Sequence, residues 1–146
     1  MKPIKFKSVS NFIRRKENVI LDSNIINGFC SDTENNRKTA AIIAHTKDDY
    51  LYTEHVHKEL IASRKKEILA YARRYYHRMI RTGEPTSQEL SVMPKNLKAD
   101  VLILHDAIKT DADIIVTDDR KFKSKANGYN GIVVINSEEY VRRKKR

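Results

Sequence analysis

Short runs of aliphatic and β-branched residues punctuate an otherwise heavily charged chain. Val19-Ile20-Leu21, Ile114-Ile115-Val116 and Ile132-Val133-Val134-Ile135 lack the polar alternation of a half-exposed strand. They predict short strands over 19–23, 114–117 and 132–135, buried on both faces. Tyr50-Leu51-Tyr52-Thr53 predicts a fourth. Between these runs the apolar period lengthens. Val56, Leu60, Ile61, Ile68, Ala72, Tyr75, Tyr76, Met79 and Ile80 predict one long helix from Thr53 or Glu54 to Arg81, stopped by Gly83 and Pro85. Further helices are expected over 37–45 behind a capping loop at 31–36, over 97–109, and after Ser137 as a cap. Residues 24–29 read as a short helix or turn, and 86–94 as a connector with one helical turn. Strands alternating with helices predict a three-layer α/β/α sandwich around a mainly parallel sheet of four or five strands. Residues 1–18 form an unassigned N-terminal extension, 19–140 the folded domain and 141–146 a basic tail, read as a flexible electrostatic arm.

At 146 residues the chain fits one domain with a substantial core. An apolar share of 40% beside 33% charge suits a folded protein rather than a disordered one. No apolar run approaches the roughly 20 residues of a membrane helix, and the basic start, Met1 to Lys7, lacks the apolar stretch of a signal peptide. A lone Cys30 excludes an internal disulfide, and no Cys/His spacing suggests zinc. The cytoplasm is the expected compartment.

Charge changes the picture more. Lys and Arg outnumber Asp and Glu by 29 to 19, a net charge of +10, which suits a polyanionic partner such as nucleic acid. Arg73, Arg74 and Arg78 lie beside Tyr71, Tyr75 and Tyr76 on the expected long helix. That face reads either as ordinary solvation or as phosphate contacts with tyrosines stacking on unpaired bases.

Four acids stand at element ends: Asp22 after the first strand, Glu59 early in the long helix, Asp100 opening another helix, and Asp119 after Ile114-Ile115-Val116-Thr117. Carboxylates so placed converge at the edge where α/β sheets bind ligands, and hard oxygen donors suit Mg²⁺ or Mn²⁺. Each has a plainer reading. Asp100 could complement the helix dipole, though Ala107, two turns on, leaves room beneath a site. Glu59 could be a surface glutamate, with Glu54 as the fallback ligand. Asp106 points away from Asp100 and reads as solvated, Asp111 and Asp113 shape a turn, and the five histidines take structural or solvent roles.

The series resembles the PIN-domain family, which includes VapC-like toxin ribonucleases. Asp22-Ser23-Asn24 is similar to its opening motif, Val56-His57-Lys58-Glu59-Leu60 to the helix carrying its second acid, and Asp100 with Ala107 to its third motif. Thr117-Asp118-Asp119 with Phe122 is similar to the fourth, where a hydroxyl residue precedes the acid by two. The resemblance implies a Mg²⁺- or Mn²⁺-dependent endoribonuclease acting on single-stranded or loop RNA, with Asp22, Glu59, Asp100 and Asp119 as catalytic metal ligands. Ser23, Asn24 and Thr117 would orient ligands or waters, and Asp118 stands as an alternative to Asp119. RNA, an antitoxin protein and a second copy in a homodimer are the partners it suggests. A haloacid-dehalogenase-like phosphatase would need a second Asp where Asn24 stands. A receiver domain would need a different order of acids. The remaining rival is a non-catalytic RNA-binding module on the same fold.

Overall fold

Val19, Ile20 and Leu21 expose no surface, nor do Ile114, Ile115 and Val116, because each run is the middle of a sheet covered on both faces. In this computed structural model, which describes residues 16–29, 33–63, 70 and 78–144, these runs are β1 (Asn18–Leu21) and β5 (Ile114–Val116). They pair in parallel with Leu21 opposite Val116. On the far side of β1 lies β2 (Asp49–Tyr50), and on the far side of β5 lies β6 (Val133–Ile135). The sheet order is β2-β1-β5-β6, with every pairing parallel. The chain leaves β1 toward one edge and returns through β5 toward the other, so the strand order reverses between these two central strands. Ligands of open α/β sheets bind beyond the strand carboxyl ends at that reversal.

Helices flank the sheet as expected of a three-layer α/β/α fold. Helix α1 (Ser23–Gly28) follows β1, and α3 (Glu54–Ala62) packs on both α1 and α5 (Asp100–Lys109). Helix α2 (Glu34–His45) packs on the C-terminal α7 (Ser137–Lys144). Leu60, Val56, Ile103, Leu104, Phe122 and Tyr140 fill the core between the layers. Two further short helices among the described residues are α4 (Ser87–Val92) and α6 (Arg120–Ala126). Helix α4 starts on a capping box, with Glu89 N–H donating to Thr86 Oγ1 and Thr86 N–H to Glu89 Oε1. Among the described residues no helix is long and apolar enough to cross a membrane.

Several expectations need correction. Of the expected long helix, α3 covers Glu54–Ala62 and Ala70 is helical, while residues 64–69 and 71–77 lie outside the described residues. Met79–Ile80 form β4, which pairs in parallel with β3 (Tyr52–Thr53) in a separate two-stranded sheet. Residues 50–53 are therefore two strands, and Leu51 carries the chain from one sheet to the other. Arg73 and Arg74 lie outside the described residues, and Arg78 is exposed just before β4. Helix α2 begins at Glu34, where Thr33 accepts from Asn36 N–H through its hydroxyl. Helix α5 begins at Asp100 rather than Leu97, because Asn96 (φ 66) and Lys98 (φ 54) adopt left-handed backbone that no helix continues. Asn136, not Ser137, caps α7: its Oδ1 accepts from Glu139 N–H while Glu139 Oε1 accepts from Asn136 N–H.

The basic tail is not a free arm through Lys144. Arg143 and Lys144 pair with Glu17, and Lys144 also reaches Asp48 at 2.7 Å. These contacts hold α7 against the segment that enters β1. Asp111 sits in the turn before β5 with positive φ, 56°, whereas the Asp113 side chain reaches across to β1, its Oδ2 accepting from Asn18 N–H at 2.9 Å.

Candidate metal centre

The peptide after each central strand extends the ladder by one step. Asp22 N–H donates to Val116 C=O and Thr117 N–H to Ile135 C=O, which places Asp22 and Thr117 side by side at the sheet's carboxyl edge. Asp22 is 3% exposed. Its Oδ2 accepts the Thr117 hydroxyl at 2.7 Å, and its Oδ1 accepts Ser23 N–H at 2.8 Å. Asn24 Nδ2 also donates to Oδ2, at 3.4 Å, so Oδ1 is the oxygen that keeps a further lone pair. Asn24 ties the two strand ends together, donating to Thr117 Oγ1 and accepting from Asp118 N–H.

Three more acids arrive from separate elements. Glu59 extends from α3, and its Oε2 accepts the Ser23 hydroxyl. Asp119 caps α6 through Oδ1, which accepts from Lys121 and Phe122 N–H. Its own N–H donates to Thr117 Oγ1 at 3.2 Å. Asp100, the first residue of α5, shares a hydrogen bond with the Asp119 carboxyl and feels the charges of Asp22, Asp119 and Glu59. All four expected acids therefore meet, and Ser23, Asn24 and Thr117 form the hydrogen-bonded frame beneath them.

Asp118 does not join them. Its Oδ1 accepts from Ser137 N–H at 3.0 Å and from Ser137 Oγ at 2.9 Å, at the start of α7. Glu54, the fallback ligand, is also elsewhere: its carboxylate accepts from Thr82 and Gly83 N–H. The Gly83 amide, then Lys58 and the Thr82 amide, hold that carboxyl down at about 2.

Crowded like charges cost energy. Burial pushes the Asp22 carboxyl up from 3.8 to about 6, helped by Glu59 and Asp119 and opposed by the Thr117 and Ser23 hydrogen bonds. Burial also pushes Asp100 up from 3.8 to about 7, with Asp22, Asp119 and Glu59 adding to the rise. Folding therefore favours the protonated forms of both. Their contribution to stability is fully present below about pH 4 and is lost as pH rises through 6 to 7. In chelator, Asp100→Asn should raise the melting temperature at pH 8 by a few degrees and flatten its decline between pH 5 and 8. Melts of both proteins across that range check this, and an unchanged profile would contradict the crowding.

The donor set, four carboxylates and no sulfur or imidazole, fits a hard divalent ion. The quartet stands wider than a closed ligand shell. Among the described residues, the group whose ligand atoms all lie within 4.8 Å of one another is Glu54, His55 and Glu84, so an ion among the four acids would be held partly through water. Beside the quartet opens a cavity of about 600 Å³ lined by Thr117, Asp119, Arg120, Lys123, Asn127 and Asn136 among others. The sequence pattern assigns no site role to Arg120 or Lys123, though both follow Asp119 within about one helical turn.

Sequence reasoning also misses Asp106. This residue exposes nothing and accepts from His55 N–H at 3.0 Å, from His55 Nδ1 at 2.6 Å and from the Thr82 hydroxyl. The expectation of a solvated Asp106 is wrong, because α5 is covered by α3 on that flank as well. The signal was its position about 60° from Ile103 around the helix.

No protein-family model matches the chain, and no curated protein matches it. Among solved structures it is similar to a domain of a functionally unknown protein from Methanocaldococcus jannaschii DSM 2661, at 22% identity over 81% of this chain and 89% of that one, with a TM-score of 0.48.

Proposed function

We propose that this chain is a divalent-metal-dependent endoribonuclease of the PIN type, acting in the cytoplasm on single-stranded RNA, in keeping with the toxin of a toxin–antitoxin pair. One observation carries the reading: Asp22, Glu59, Asp100 and Asp119, from four segments of the chain, meet at the carboxyl edge where the strand order reverses. A cluster of that charge is useful when it holds cations, and the chain's +10 net charge supplies attraction for a polyanion around it.

Mg²⁺ or Mn²⁺ held there supplies Lewis-acid polarisation of the phosphate and a more acidic bound water. The protein's own part is positional. Thr117 and Ser23 fix the carboxylates of Asp22 and Glu59, and Asn24 locks the two strand ends so that Asp22 and Asp119 keep their spacing. Arg120 and Lys123 line the adjoining cavity, where a flanking phosphate would find positive charge. Water as the nucleophile means that the RNA 2′-OH does no chemistry.

A labelled single-stranded RNA incubated with the full chain should be cut with Mn²⁺ or Mg²⁺ and left whole in chelator. A single 2′-O-methyl group at the scissile nucleotide should leave cleavage running. No cutting with either ion would instead support a module that binds RNA without chemistry.

A further inference from the structure

His55 and Asp106 form a pair whose geometry the proposed nuclease centre does not use. His55 is 3% exposed at the second position of α3. Its Nδ1 lies 2.6 Å from Asp106 Oδ1, and its backbone N–H donates to Asp106 Oδ2. Asp106 exposes nothing and sits on α5. A buried carboxylate gripping Nδ1 fixes both the rotation and the tautomer of the ring and presents Nε2 outward. Proteins orient metal-binding histidines in this way.

Two carboxylates face that nitrogen. Glu84 Oε1 lies 3.0 Å from His55 Nε2, and Glu54, the residue before His55, completes a group whose ligand atoms all lie within 4.8 Å of one another. Metal–ligand bonds of about 2.0–2.2 Å in tetrahedral geometry put neighbouring ligand atoms roughly 3.3–3.6 Å apart around one ion, so Nε2 and Oε1, 3.0 Å apart, need open only slightly to admit it. Glu54 is itself anchored, its Oε1 held by the Thr82 and Gly83 amides, which leaves Oε2 toward Lys58.

A cation already occupies the gap. Lys58 Nζ lies 3.1 Å from Glu54 Oε2 and 3.2 Å from Glu84 Oε1. Its side chain is 57% exposed, so the ammonium can swing into solvent without breaking packing. On the inner side, the His105 ring stands edge-on to His55 with centroids 6.2 Å apart. Both His105 ring nitrogens are buried without a hydrogen-bond partner among the described residues.

We propose that Glu54, His55 and Glu84 form a second metal site, distinct from the acidic quartet and selective for a zinc-class ion, with Asp106 as the positioning residue and Lys58 as the cation that the metal displaces. An imidazole with two carboxylates suits Zn²⁺ or a neighbouring transition ion better than Mg²⁺, which prefers oxygen alone. The site joins the start of α3 to the segment that leaves β4, so a bound ion staples residues 82–84 to the helix. Its role is to hold the fold at that seam rather than to cut RNA.

The test is a Zn²⁺ titration of the metal-stripped full chain in excess Mg²⁺, followed by calorimetry, melting temperature and the ¹⁵N shift of the His55 ring. The parent should bind one Zn²⁺, shift the Nε2 resonance and melt several degrees higher. Glu84→Gln, an exposed and conservative change, should weaken binding at least tenfold, and Lys58→Ala should tighten it. Asp22→Asn should leave the His55 shift intact, which separates this site from the quartet. An unmoved His55 resonance, or Glu84→Gln binding as tightly as the parent, would overturn the assignment.

Discussion

Asp22→Asn should reduce metal-dependent RNA cleavage by about 10²- to 10³-fold, the kinetic equivalent of losing roughly 3–4 kcal/mol of transition-state stabilisation. Of the four acids Asp22 has the least exposure and the most support: Thr117, Ser23 and Asn24 all touch its carboxylate. Asparagine keeps the shape and can still accept from Ser23 N–H, while its amide N–H₂ faces a Thr117 hydroxyl that must turn, since its oxygen already accepts from Asn24 and Asp119. What it loses is the negative charge that holds a cation. The substitution also removes a buried charge and its crowding with Glu59 and Asp119, which together raise the Asp22 carboxyl in the parent. The variant should therefore be at least as stable as the parent in chelator. Cleavage rates under Mn²⁺, read beside thermal melts, separate a dead site from a broken fold. A stable variant that cuts at the parental rate would remove Asp22 from the chemistry.

Asp106→Ala should cost about 3–5 kcal/mol of folding stability, the range seen when one partner of a buried polar pair is removed. Three donors lose their acceptor at once: the His55 amide, the His55 ring and the Thr82 hydroxyl. Two are deeply buried, so water cannot readily replace the carboxylate. Because Thr82 is released as well, β4 and the segment behind it should lose their hold on α3. Urea denaturation at pH 7 measures the loss, and hydrogen exchange at residues 79–84 should show it locally. A change below about 1 kcal/mol would mean that the network is dispensable.

The parts of this fold that were legible in sequence are those set by local pattern. Val19 to Leu21 and Ile114 to Val116 read as doubly buried strands because no polar residue interrupts them, and Asp22 and Asp119 stand out because a charge follows such a run. Asp100 and Glu59 were legible through their order relative to those two. The rest depended on contacts between distant residues. Met79 and Ile80 continue a helical period, and a two-residue apolar pair cannot by itself distinguish strand from helix; pairing with Tyr52 and Thr53 decides it. Arg143 and Lys144 look like a solvated charge run until Glu17, at the opposite end of the chain, meets them. Asp106 reads as solvated because it points away from Asp100, whereas α3 covers that flank of α5 as well.

The central claim is that the four acids hold a divalent cation. Its most direct test is an anomalous difference map from crystals of the full chain soaked in Mn²⁺. A peak within ligand or water-bridged reach of Asp22, Asp100 and Asp119, absent from Asp22→Asn crystals soaked alike, is the expected result. A map with no peak there, from crystals in which the four carboxyls are otherwise ordered, would contradict the account.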